Sequence, residues 1–241
     1  MKTHQPGEPA TENALARLCA RFRLDVDREG QLAAILECLE GDALAPTTVR
    51  DRASALDVHL ADSLAALDLA PLHDAAAIVD LGSGAGFPGL PLAVALPTVE
   101  VSLLESQRRK ADFIAGLCDA AGIGNARIVC TRIEEWQDGL GRIDVALARA
   151  LASAPVVLEY AAPLLRMGGT LVDWRGRRNA TEEQQAAQAA SQLGLRLVEM
   201  RHVEPYAGAR EHHLHLYTKV TATPPRFPRR AGVARRRPLG C

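Results

Sequence analysis

The chain has 241 residues, 48% of them apolar and 24% charged, proportions that support one sizeable buried core and exclude a disordered chain or a collagen-like repeat. Lys and Arg number 28 against 29 Asp and Glu, a net charge of −1, which excludes a uniformly basic nucleic-acid coat. The charge is unevenly placed: residues 224–241 hold six arginines and no acid, leaving 22 bases and 29 acids, or −7, on residues 1–223, as suits a polyanionic partner touched along one edge.

The opening MKTHQPGEPATEN is too polar for a secretory signal. Leu15, Leu18, Cys19 and Phe22, then Leu32, Ile35, Leu36 and Leu39, recur at helical spacing and predict two amphipathic helices, with a third expected over about 53–67. Residues 77–81, Ala-Ile-Val-Asp-Leu, form a short apolar run that ends in a glycine cluster, as a buried parallel strand does. Further strands are expected over 99–104, 126–130, 143–148 and 170–174. Between the first two of these runs lies a helix that Ser106 is placed to cap, with Phe113, Ile114, Leu117, Cys118 and Ala121 as its buried stripe and Gly122 as its stop. Such alternation predicts an α/β, doubly wound, mostly parallel sheet. The runs 195–203 and 212–220 are too close for a helix between them, so the last strand should be antiparallel.

The longest apolar candidate, 146–165, is broken by Arg149, Ser153, Pro155, Glu159 and Pro163, so no membrane span is expected. The five cysteines are odd in number and no pair is spaced C-x-x-C, which argues against a disulfide framework or zinc site and for reduced thiols in a cytoplasmic protein. His212-His-x-His215 does not predict a metal site, because on a strand His213 and His215 share one face and His212 takes the other.

The chemistry is expected at Asp80-Leu-Gly-Ser-Gly-Ala-Gly86. Gly82, Gly84 and Gly86 permit positive φ and close approach of a ligand to the backbone, and Glu105, about 20 residues on at the end of the next strand, suits a ribose diol. Gly84-Ala-Gly86-Phe-Pro-Gly89 also matches the dinucleotide pattern G-x-G-x-x-G, but two residues too late for the strand. His59, Asp62 and Ser63, at i, i+3 and i+4 on the third helix, can form one polar cluster facing this loop.

Asp80-Leu-Gly-Ser-Gly-Ala-Gly-Phe-Pro-Gly-Leu-Pro-Leu92 resembles the first motif of class I S-adenosylmethionine-dependent methyltransferases, and its F-P-G-L-P form resembles the GidB/RsmG family of small-subunit rRNA guanine-N7 methyltransferases. The likeness extends to Val49-Arg-Asp51 with His59, Asp62 and Ser63, to Leu103-Leu-Glu105 with Ser106, Arg109, Lys110 and Phe113, to Thr131-Arg-Ile-Glu134, to Ala148-Arg-Ala150, and to the basic tail. It implies the Rossmann-like sheet of that class preceded by N-terminal helices: a helical extension over 1–72, a methyltransferase domain over 73–223 and a basic tail over 224–241. It further implies S-adenosyl-L-methionine as cofactor, contacted by Gly82, Gly84 and Phe87, with Glu105 on the ribose, Ile133 and Glu134 beside the adenine and Arg149 at the methyl-donor end.

Arg149, amid Val145, Ala146, Leu147 and Leu151, needs an anionic partner, for which the cofactor carboxylate or an RNA phosphate is suited. The implied partner is 16S rRNA in or from the small ribosomal subunit, with no metal and no membrane, and Arg175, Arg229, Arg230 and Arg236 are RNA-binding candidates beside Arg108-Arg-Lys110. Where the family usually has lysine before the glycine after the fifth strand, this chain has Trp174-Arg-Gly. No Asn/Asp-Pro-Pro-Tyr/Phe follows the fourth strand and no Pro-Cys pair is present, so adenine-N6 and cytosine-C5 chemistry lack their elements. Guanine N7 carries an available lone pair and needs alignment rather than a general base. A small-molecule methyltransferase, a nicotinamide-dependent oxidoreductase and a non-catalytic RNA-binding factor are the alternatives.

Overall fold

A computed structural model of the chain describes residues 8–240. Residues 1–7, which carry most of the polar leader, and Cys241, the fifth expected thiol, lie outside the described residues.

Helices α1 (Glu8–Arg21) and α2 (Val26–Gly41) follow the two apolar stripes, and Leu15, Leu18, Cys19, Leu32, Ile35, Leu36 and Leu39 are all buried. Asp25 starts α2 by accepting the Arg28 amide at 3.1 Å, satisfying one unpaired first-turn donor. The third helix departs from a plain α-helix. It opens as α3 (Arg52–Ala55), widens to a π-helical turn over Leu56–Ala61, resumes as α4 (Asp62–Leu64) and tightens to a 3-10 turn over Ala65–Asp68. π turns within α-helices are frequent at functional sites, and this one carries His59.

After α5 (Ala70–His73) come β1 (Ala77–Leu81), α6 (Gly89–Ala95), β2 (Glu100–Leu104), α7 (Arg108–Ala121), β3 (Ala126–Val129), β4 (Ile143–Arg149), α8 (Ala154–Ala161), β5 (Leu165–Arg175), α9 (Ala180–Leu193), β6 (Leu195–Val203), β7 (His212–Lys219) and α10 (Val233–Arg236). The sheet order is β3-β2-β1-β4-β5-β7-β6, with β7 antiparallel to both of its neighbours and the other pairings parallel. Alternation along the strands feeds two cores. Ile78, Val145 and Leu147 face α1, α2, α6 and α7, whereas Val79, Leu81, Ala146 and Ala148 face α8, α9 and the tail residues Phe227 and Ala234.

Two local expectations are corrected. Ser106 does not cap α7: the cap position is Gln107, whose amide is taken at 2.8 Å by the Glu105 carboxylate, a stronger acceptor than a serine hydroxyl. The fifth strand spans Leu165–Arg175, longer than its apolar segment 170–174, because buried Leu165 pairs with Ile143 of β4 and the exposed, polar and glycine-containing stretch 166–168 hides the strand from an apolar pattern. Gly122 does end α7, at φ +64°. Among the described residues no helix is long and apolar enough to cross a membrane.

Candidate active site

The strand order reverses between β1 and β4, which opens a crevice at the carboxyl ends of the strands. Four loops meet there and enclose a cleft of about 570 Å3. Gly82, Gly84 and Phe87 come from the loop after β1, Glu105 from the end of β2, Ile133 and Glu134 from beyond β3, and Arg149 from the end of β4; all seven line the cleft.

Glycine is required at Gly82, where φ is +69° and a Cβ would stand 2.6 Å from Leu151 Cδ1. Gly84, at φ +61°, donates its amide to Glu105 Oε2 at 3.1 Å while Gln107 takes Oε1, so two backbone amides orient the buried carboxylate. Asp80 has a part that the motif alone does not disclose. Wholly buried beneath the loop, it accepts the Gly89 amide at 2.9 Å and fixes the start of α6, and burial pushes its carboxyl up to about 6.

The opposite wall is assembled from distant segments. Arg149 donates to Asp62 Oδ2 at 2.8 Å and to the Val58 carbonyl at 2.9 Å. The sequence pointed to the cofactor carboxylate or an RNA phosphate as its anionic partner; the partner is instead Asp62 of the chain itself, because the third helix lays this carboxylate over the end of β4. The other oxygen of Asp62 lies 3.0 Å from His212 Nδ1, and Trp174 donates its indole N–H to the Asp62 carbonyl at 3.1 Å. Phe87 stacks on His59 with ring centroids 4.4 Å apart and planes 4° apart. His59 Nε2 lies 3.0 Å from Thr47 Oγ1 and 3.2 Å from the Val49 carbonyl, and its Nδ1 faces the Arg149 guanidinium at 3.5 Å. A guanidinium only donates, so the ring proton sits on Nε2. Burial and the Arg149 charge lower the imidazole to about 4, so it is neutral at pH 7. Ser63 stays out of this cluster and donates to the His59 carbonyl. Ala150, next to Arg149, takes φ +52°, a left-handed conformation costing about 1–2 kcal/mol in a residue that lines the cleft.

The basic candidates divide. Arg175 turns inward to Asp173 at 2.7 Å and Glu182 at 3.2 Å, and Arg229 pairs with Glu159. Arg230 and Arg236 are exposed and form no ion pair among the described residues. His213 and His215 lie 6.5 Å apart while His212 pairs with Asp62, and no group of metal ligands occurs among the described residues.

A seven-stranded sheet in this order, with one antiparallel strand and a glycine loop held against an acidic β2 end, defines a class I S-adenosylmethionine-dependent methyltransferase. A SAM-dependent methyltransferase structure from Aquifex aeolicus shares the fold, with a TM-score of 0.55 over 69% of this chain and 93% of that one at 14% identity. The family model for GidB, rRNA small subunit methyltransferase G, matches residues 39–213, and the chain belongs to that family. Ribosomal RNA small subunit methyltransferase G of Chloroflexus aggregans is 41% identical over 201 residues, 80% of this chain and 82% of that protein. The protein of the same name from a Synechococcus species is 40% identical over 205 residues, 80% of this chain and 78% of its own. The cofactor is S-adenosyl-L-methionine, and the residues present fit it: a carboxylate at the end of β2 in Glu105, an apolar edge in Ile133 and a glycine loop whose backbone a ligand can approach.

Proposed function

We propose that this protein methylates N7 of a guanine in 16S rRNA, in or from the small ribosomal subunit, and that it works in the cytoplasm. One observation carries the reading: the carboxylates and the imidazole lining the cleft, Glu105, Glu134 and His59, are each oriented by contacts within the chain. Glu105 is held by two amides, Glu134 by the Gly232 amide at 2.8 Å, and His59 is neutral with Nδ1 facing Arg149. Side chains held in this way are set for binding and positioning, and guanine N7 presents a lone pair in the base plane that needs no general base.

When bound, S-adenosylmethionine supplies an electrophilic methyl on a sulfonium. Gly82, Gly84 and Phe87 would shape the loop against it, Glu105 would accept its ribose hydroxyls, and Ile133 and Glu134 would flank its adenine. Arg149, fixed by Asp62, sets the methyl-donor end, and the stacked Phe87 and His59 exclude water there. Holding the two reactants in line and dry is the main part of such a transfer. Of the helical extension, the described residues 8–72 wall one side, residues 73–223 carry most of the cleft, and the exposed arginines of the tail, Arg230 and Arg236 among them, contact phosphate.

The test is transfer of labelled methyl from S-adenosylmethionine to small subunits lacking the modification and to naked 16S rRNA, at rising salt. Label in RNA that falls with salt, while S-adenosylhomocysteine affinity holds, is the expected result. Label confined to protein or a small molecule overturns it.

A further inference from the structure

The basic tail lies outside the residues that the family model matches, 39–213, and it is built into the cleft. Phe227 and Ala234 are buried in the core beneath α8 and α9. Between them Arg229 makes a two-pronged pair with Glu159, whose side chain is 2% exposed, and also donates to the Arg237 carbonyl at 2.9 Å. These contacts anchor the segment. The Gly232 amide then donates to Glu134 Oε1 at 2.8 Å, joining the tail to the loop that follows β3. From α10, Arg235 donates to the Leu151 carbonyl at 3.1 Å and lines the cleft with Ile133, Glu134, Leu151 and Tyr160.

We propose that the tail is a wall of the cofactor cleft and that Arg235 is a cofactor-binding residue serving the adenosine half of S-adenosylmethionine. Docking is already secured by Arg229, Phe227 and Ala234, so Arg235 is not needed as an anchor. A guanidinium has five donors; the Leu151 carbonyl takes one and the Tyr160 hydroxyl also interacts with the group, which leaves further donors for a ligand. Its plane can lie on a purine face and its charge can remain partly in water. Arg236, next in sequence, is exposed and does not line the cleft. The two neighbours thus have different tasks, Arg235 toward cofactor and Arg236 toward phosphate.

This inference rests on the cofactor reading of the cleft and is independent of which base is methylated. The experiment is calorimetric titration of S-adenosylhomocysteine into the full chain, into Arg235→Ala and into Arg236→Ala, with RNA binding measured in parallel. Both positions are exposed, so both variants should fold. Arg235→Ala should weaken S-adenosylhomocysteine by roughly threefold to tenfold, with Arg236→Ala unchanged. Unchanged affinity in Arg235→Ala overturns the proposal, and a loss of RNA binding alone would assign that arginine to RNA. Equal losses in both variants also overturn it, since they report general charge. A wild-type chain that fails to bind S-adenosylhomocysteine would bring down the cofactor reading itself.

Discussion

The two walls of the cleft are made in different ways. The glycine-loop wall is local: Gly82, Gly84 and Glu105 lie within 24 consecutive residues, and its polar contacts are backbone amides closing on one carboxylate. The Arg149 wall is assembled from the third helix, the end of β4 and the start of β7, with Asp62 87 residues from Arg149 and 150 from His212. Loss of a local contact leaves the surrounding strand and helix intact. Loss of a partner in the assembled wall strands a buried charge. The first wall should therefore govern affinity, and the second both affinity and stability.

Asp62→Ala should break the assembled wall most severely, because Arg149 and Asp62 side chains are only 16% and 6% exposed. A stability loss of about 3–5 kcal/mol in urea unfolding is expected, and a loss below about 1 kcal/mol would mean that the pair behaves as a surface ion pair. Arg229→Ala exposes the same logic in the tail, leaving Glu159 buried and unpaired at a cost of about 3 kcal/mol. Adding Glu159→Leu to that variant should return much of it. Glu105→Ala sharpens the contrast from the other wall. S-adenosylhomocysteine affinity should fall on the order of tenfold to hundredfold while stability falls by only about 1–2 kcal/mol, the cost of the two amides it holds; unchanged affinity would remove the ribose assignment.

The smallest effect concerns pH. His59 is held neutral in the fold, lowered to about 4 by burial and Arg149, whereas an unfolded histidine takes its proton near pH 6.5. Its contribution to stability is therefore complete above pH 6.5 and is lost as pH falls toward 4. The stability gap between wild type and His59→Gln should narrow across that window, and a gap that stays constant would show that His59 titrates like a free histidine.

What the sequence disclosed follows the same division. The strands, the glycine loop and Glu105 are legible because apolar runs, positive-φ glycines and a carboxylate at a strand end are short-range signals. Resemblance also named Gly82, Gly84, Phe87, Glu105, Ile133, Glu134 and Arg149, and the fold brings all seven to one cleft. The partner of Arg149 was not legible as such. Asp62 was singled out for its helix face, but its reach to β4 depends on how the third helix crosses the strand ends, and the π turn within that helix has no simple sequence mark. Asp80 was hidden in its motif, because its role is to hold the Gly89 amide across the loop. The tail's composition pointed outward to RNA, whereas the burial of Phe227 and the Arg229–Glu159 pair turn part of it inward. Clustered charge reads as solvated until a buried carboxylate is found to meet it.

The most direct measurement of the central claim is nucleoside analysis of 16S rRNA after incubation of methylation-deficient small subunits with the protein and S-adenosylmethionine. A new 7-methylguanosine peak, with no other methylated nucleoside, is the expected result. Methyl incorporated at an exocyclic amine, a ribose oxygen or a pyrimidine carbon would contradict the assignment to guanine N7.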